Sequence, residues 1–422
     1  MVNSIIDYAK ILLKENLCKN IGGVIAVKTD DNSMLVTKKN ADFSMLTEAN
    51  IIKISLNDNN SDYAIFSNIF KHKASISCIL HTNPANISTC ANVGVEIPAV
   101  LDDMAQIVGI SCKVACCADK IVKSLNGGRN CCLLKNDGAI CTGRSLNEAY
   151  TASLVLEKAC KVFIEASVLG GAKPINKLEA KLMNIIYKKK YSKQADKDTA
   201  LADLKPANKF TEERLIIIGS GKRLLKSNLV QGTWGNTSIK LNATQMLVTP
   251  SGRDYVTLHE EELPIVEIAD PSIWNGGLKP TSERKIHAAV LRDNTELNAV
   301  IHSHPTYGSI LASAHCDLDV ILPEHIAILG NKIYVSSYGL PGTKKLCKGT
   351  VEGFSKSKKG TFMANHGVLS AGKTMDEAFD IIQAIEDACK VFIEKKTLEA
   401  TGAKAFSIDL LHNYFAKMYT AK

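Results

Sequence analysis

The 422-residue chain has no run of about 18 or more apolar residues, so no segment reads as a membrane-spanning helix. It opens with MVNSIIDYAKILLKEN, which carries Asp7 and Glu15 and lacks the basic, then apolar, then small-residue order of a secretory leader. A cytoplasmic location is therefore expected. Also missing is any Arg/Lys cluster interleaved with aromatics, which argues against nucleic acid as a partner. The formal charge of +8 is a modest excess for this length and favours small anionic substrates. The basic run KKKYSKQADK at 188–197 reads as a solvated helix end and linker.

Cysteine is present in quantity: there are 13, an odd number, and most precede residue 161. In a cytosolic chain they are expected to be reduced. The closest group is Cys112, Cys116, Cys117, Cys131 and Cys132. Adjacent cysteines on a strand point to opposite faces and chelate zinc poorly, so they read as small buried hydrophobes.

The chain repeats itself. ACKVFIE stands at 159–165 and again at 388–394. LLKENL at 12–17 matches LLKSNL at 224–229, and MLVT occurs at 34–37 and 246–249. CILHTNP at 78–84 matches AVIHSHP at 299–305, and LKNDGAI at 134–140 matches MANHGVL at 363–369. The spacing between matched blocks grows along the chain, as insertions in loops would cause. Two domains follow: one over 1–195, a polar linker over 196–208, and a second over 209–422. Each begins with a helix, continues with β-branched strands and ends with an amphipathic helix holding ACKVFIE. That alternation reads as layered α/β.

The second copy carries the residues with chemistry. His302 and His304 are two apart at the end of an apolar strand, so strand alternation puts both on one face. His366 follows a second apolar strand, before Gly367. Three imidazoles leave a fourth position open, as a catalytic zinc requires. A lone HxH is equally compatible with ordinary polar residues at a strand end. Glu283, in KPTSERKIH, falls where a helix should start, with Thr281 or Ser282 as its N-cap. It either complements the helix dipole or faces the metal as a proton shuttle. GTWGNTS at 232–238 and TPSGRD at 249–254 could present N–H groups and hydroxyls to a phosphate, or be ordinary turns.

In this order and spacing, GTWGN, TPSG, TSE, HSHP, SYGLPGT and NHG resemble the class II aldolase/adducin family, over nearly all of the second copy. The resemblance implies two tandem three-layer α/β/α domains with largely antiparallel central sheets. It implies zinc on His302, His304 and His366, an acid/base carboxylate at Glu283, and a proton-donating tyrosine at Tyr338. Phosphate contacts would fall on Asn236, Ser251, Gly252, Thr281 and Ser282. The implied activity is retro-aldol cleavage of a ketose phosphate such as L-fuculose 1-phosphate. A sugar-phosphate epimerase, dehydratase or decarboxylase, or an adducin-like scaffold, are the alternatives. Epimerases resembling this site carry Asp where Glu283 stands. A homo-oligomer is also implied, as a dimer closing a pseudo-fourfold ring.

The first copy keeps His81 but has Asn83, Asp137 and Asp62 where the second has His304, His366 and Glu283. TKKN replaces TPSG. It reads as a degenerate copy without a zinc set, leaving one metal per chain.

Overall fold

The computed structural model of the chain describes residues 1–58, 61–191, 204 and 209–420. The expected linker, 196–208, lies outside the described residues except for Leu204. The chain forms two compact units. Unit 1 comprises 1–165, 174–187 and 407–422, and unit 2 comprises 166–173 and 188–406.

Unit 1 holds β1 (Val24–Asp30), β2 (Ser33–Thr37), β3 (Ile51–Ser55), β4 (Cys78–Thr82), β5 (Ile97–Pro98), β6 (Ser111–Ala115), β7 (Cys131–Leu134) and β8 (Ala139–Gly143). Their order in the sheet is β3-β2-β1-β4-β8-β7-β6-β5, antiparallel except between β6 and β7. Unit 2 holds β9 (Asn236–Lys240), β10 (Gln245–Val248), β11 (Ile265–Glu267), β12 (Trp274–Asn275), β13 (Ala299–Ser303), β14 (Leu318–Asp319), β15 (Lys332–Val335), β16 (Gly360–Met363) and β17 (Gly367–Gly372). Its order is β12-β11-β10-β9-β13-β17-β16-β15-β14, with β15 and β16 the parallel pair. Among the described residues the two orders agree strand for strand, and unit 2 adds β12 at one edge.

The central strands of each sheet are buried on both faces, whereas β3 and β12 at the edges are partly exposed. In unit 2, helices Arg284–Asp293 and Lys344–Ser357 cover one face, with Leu346 and Phe354 of the latter in one core with Met246, Val300 and Leu369 of the sheet. Helices Thr306–Ala314 and Met375–Thr401 cover the other. Unit 1 has the same three layers, with helices Ala64–His72 and Ala118–Ser124 on one side and Ala85–Val93 and Leu146–Glu165 on the other.

A half-buried carboxylate organises the start of one helix in each unit. Helices Ala85–Val93 and Thr306–Ala314 begin after Pro84 and Pro305, which offer no side-chain cap. Glu386 accepts from the N–H groups of Tyr307 and Gly308, both at 2.8 Å. Glu157 accepts from Asn86 at 3.1 Å and Ile87 at 2.8 Å in the same way. An anion there satisfies orphan donors and meets the positive end of the helix dipole.

The last helix, Ile408–Thr420, belongs to unit 1. It buries Leu411 and Phe415, sets the Phe415 ring 5.8 Å from that of Phe163, and brings His412 within 3.0 Å of the Thr89 hydroxyl. Most of the cysteines are buried, Cys131 and Cys132 among them, whereas Cys116 and Cys117 are exposed. Burial pushes the Cys18 and Cys78 thiols up to about 12, so they stay protonated at neutral pH.

Candidate metal and catalytic site

Strand alternation and one tight turn assemble this site in unit 2. Val300 on β13 faces the layer that holds helix Arg284–Asp293, so His302 shares that face. Its neighbours in register are Asn236 on β9 and Leu369 on β17. His304 lies one residue past β13, and Pro305 ends the strand. His366 arrives from the turn between β16 and β17, where Asn365 takes a left-handed φ of 56°. Gly367 is required there. A Cβ at Gly367 would lie 2.4 Å from the Ser303 carbonyl oxygen and 2.9 Å from Cε1 of His302.

The three histidines are buried, and their ligand atoms all lie within 4.8 Å of one another. Nδ1 of His302 is 3.0 Å from the carbonyl oxygen of Val368, which can only accept, so Nδ1 carries the hydrogen. The lone pair of the neutral ring is then on Nε2, aimed at Nε2 of His304 3.0 Å away. Tetrahedral zinc with imidazole ligands sets its nitrogens about 3.4 Å apart. The donor set, the His302 tautomer and the spacing of this pair suit a divalent ion with one position open.

Glu283 faces this cluster. Its Oε1 accepts from Nε2 of His366 at 2.7 Å, and its Oε2 lies 3.4 Å from Nε2 of His302. Oε2 also accepts from Nδ2 of Asn236 at 2.7 Å. Burial alone would raise this carboxyl. The adjoining imidazoles of His302 and His366 and the hydrogen bonds from His366 and Asn236 outweigh it, holding the group well below its ordinary value. The expected N-cap is corrected: helix Arg284–Asp293 has Glu283 itself at the N-cap, not Thr281 or Ser282. The carboxylate is drawn to His366 and Asn236 rather than back to its own helix.

Two loops meet beside it. Thr281 donates its N–H to the Thr249 carbonyl at 3.1 Å, and Ser251 donates to Lys279 at 2.9 Å. Ser251, Gly252, Thr281 and Ser282 are thereby gathered on adjoining turns. Gly252 has a φ of 72° and open space where a Cβ would stand. Asn236 makes two side-chain contacts, Nδ2 to Glu283 and Oδ1 to Nε2 of His287 at 2.6 Å. Tyr338 is half-buried on the loop between β15 and helix Lys344–Ser357.

Two residues of this network were not anticipated, His287 and Ser238, whose Oγ lies 2.7 Å from Nδ1 of His287. Both were legible by spacing. His287 is one helical turn beyond Glu283, and Ser238 shares the face of Asn236 on β9.

Unit 1 differs at each of these places. His81 has its Nε2 2.6 Å from the carbonyl oxygen of Asp137, so that nitrogen carries the hydrogen and its lone pair is on Nδ1. In the loops matching 249–252 and 281–283, Lys39 makes an ion pair with Asp62 at 2.7 Å. Among the described residues, His302, His304 and His366 form the one group of three or more His, Cys, Asp or Glu side chains placed to hold a metal.

The chain matches the Class II Aldolase and Adducin N-terminal domain family over residues 3–164 and again over 217–393. A 5-deoxy-D-ribulose 1-phosphate aldolase of Bacillus thuringiensis serovar kurstaki is 31% identical over 189 residues, which cover 44% of this chain and 87% of that protein. A 3-oxo-tetronate 4-phosphate decarboxylase of Haemophilus influenzae is 26% identical over 185 residues, 43% of this chain and 86% of that protein. An L-fuculose phosphate aldolase of Methanocaldococcus jannaschii is 27% identical over 170 residues, 40% of this chain and 90% of that protein. No helix among the described residues is long and apolar enough to cross a membrane. With the family pattern met twice in sequence and the sheet order met twice in structure, the chain belongs to the class II aldolase and adducin family as a tandem duplication.

Proposed function

We propose that unit 2 is a metal-dependent lyase cleaving a ketose phosphate, such as L-fuculose 1-phosphate, to dihydroxyacetone phosphate and an aldehyde, with unit 1 a non-catalytic companion. The observation that carries this reading is three buried imidazoles facing one carboxylate. Relatives named as aldolases of 5-deoxyribulose 1-phosphate and of fuculose phosphate support it.

His302, His304 and His366 would hold the ion, and an all-imidazole set suits zinc. A bound divalent ion supplies Lewis-acid stabilisation of negative charge on the substrate's carbonyl oxygen. Cleavage breaks the carbon–carbon bond beyond the carbonyl, and its electron pair moves into the enediolate of the three-carbon fragment. Glu283, a carboxylate at rest, receives the proton that the cleaved hydroxyl releases and delivers it to that carbon. Tyr338 serves the oxygen of the departing aldehyde. Ser251, Gly252, Thr281 and Ser282 bind the phosphate through hydroxyl and N–H groups, fixing the register of the reacting bond. The same proposal takes the protein to be a homo-oligomeric dimer, which light scattering reporting a monomer would refute.

The test is metal content of the purified protein beside His302→Ala, with retro-aldol activity on a panel of ketose 1-phosphates. Metal near one per chain, lost in the variant together with cleavage, supports the reading. Metal without cleavage of any panel member refutes the aldolase assignment. Decarboxylation is the second reading, favoured by the relative that acts on a 3-oxo-tetronate phosphate. Release of carbon dioxide from such an acid would identify it. No metal at all would point to a scaffold.

A further inference from the structure

We propose that His287 is a positioning residue for Glu283, acting through Asn236 and held by Ser238. This rests on the reading of unit 2 as a lyase that moves a proton at carbon. The direction of the chain is forced from one end. Oε2 of Glu283 can only accept, so the amide atom of Asn236 that meets it at 2.7 Å is Nδ2. The other amide atom, Oδ1, then needs a donor, and Nε2 of His287 lies 2.6 Å from it. With the hydrogen on Nε2, Nδ1 of the neutral ring accepts from the Ser238 hydroxyl at 2.7 Å. All four residues are buried. Each bond fixes the next, and the last fixes the carboxylate oxygen nearest His302. Burial keeps the imidazole neutral, lowering its pKa to about 3 against the pull of Glu283.

Unit 1 shows that the fold does not require this chain. Register places Val24 against His81 as Asn236 lies against His302, and Ala26 against Ile79 as Ser238 lies against Val300. On the helix, Phe66 stands where unit 2 has His287. All three are apolar, and Ala26 and Phe66 belong to the core of that face. The polar chain is absent as a whole from the unit that lacks the three-histidine set. A purely structural network would be expected in both. Both amide atoms of Asn236 thus have a partner in this chain, and its second N–H is left for the phosphate role that the family resemblance implies.

The experiment compares wild type with His287→Phe, the residue unit 1 carries, and with Ser238→Ala and His287→Gln. The probe is dihydroxyacetone phosphate in D2O, with uptake of deuterium at its hydroxymethyl carbon followed alongside metal content. In that exchange a base removes a proton from carbon and the resulting enediolate takes a deuteron from solvent, so no other reactant is needed. The expected result for His287→Phe is exchange slowed about a hundredfold at saturation, KM within about threefold, and metal content unchanged. Ser238→Ala should show a smaller loss, and His287→Gln, which can keep a donor toward Asn236, should recover part of it. Unchanged exchange would overturn the proposal. So would a raised KM at full rate, which would tie Asn236 to the phosphate alone, or loss of metal in His287→Phe and Ser238→Ala alike. One arm needs no turnover: nitrogen chemical shifts of His287 should report the Nε2–H neutral tautomer, and Nδ1–H would refute the chain. Failure of the lyase reading is seen separately, in wild type that takes up no metal and exchanges nothing.

Discussion

Nδ1 of His302 donates to the main-chain carbonyl of Val368 at 3.0 Å, an acceptor that no side-chain substitution removes. The sheet itself therefore holds the ring with its Nε2 lone pair toward His304. In unit 1 the carbonyl of Asp137 sits on Nε2 of His81 instead, on the nitrogen that would have to bind. His304→Ala should lower metal affinity at least about a hundredfold, whereas His81→Ala should leave it unchanged. Elemental analysis after dialysis against a graded chelator measures both, and equal losses would disprove the division between the units.

Glu283→Gln keeps the shape of the group and its contact with Asn236 but removes the base. It should lower kcat about 100-fold to 10,000-fold with little change in KM, the range typical of a positioned acid or base. Steady-state kinetics on whichever panel substrate is cleaved would decide it. A change confined to KM would make Glu283 a binding group.

His287 links stability to pH. Its ordinary value of 6.5 falls to about 3 in the fold because burial disfavours the charged ring. Between these values the unfolded chain binds a proton that the folded chain refuses. Stability is therefore complete above about pH 6.5 and declines as pH falls below it, by at most about 1.4 kcal/mol per pH unit. Denaturant midpoints of wild type and His287→Gln between pH 7 and about pH 4.5 should converge on acidification. Parallel curves would mean that His287 is not the group involved.

Phe415 is buried in unit 1 against Phe163, although it lies close to the end of the chain. Phe415→Ala should destabilise unit 1 by about 3–5 kcal/mol. Hydrogen exchange should quicken in helices Ala85–Val93 and Leu146–Glu165 and stay unchanged in helix Arg284–Asp293. Equal acceleration across both units would contradict the assignment of this helix.

Much of this was legible in the sequence because the relevant spacings are short. Strand alternation puts His302 on one face, and Asn365 and Gly367 mark the turn that delivers His366. The start of the helix at Arg284 was harder. Thr281 and Ser282 are better N-cap types than Glu283, but Glu283 is held by His366 and Asn236, contacts that no local propensity encodes. The contact of Asn236 with Glu283 was not legible, because residue type does not say which way an amide faces. Nor can a repeat say which copy a terminal helix packs on, since Leu411 and Phe415 suit any apolar groove.

Glu157 and Glu386 cap corresponding helices in the two units, yet only one of those helices follows a pair of buried histidines. Both copies have been translated in one polypeptide and kept at the same temperature in the same solvent. What they still share meets demands that any such polypeptide faces, such as starting a helix after proline. Where they part, at His304 and Asn83 or at Glu283 and Asp62, the difference falls on residues that the proposed reaction would use. The protein thus contains its own ancestral comparison, in which mechanical necessity and chemical necessity can be told apart residue by residue.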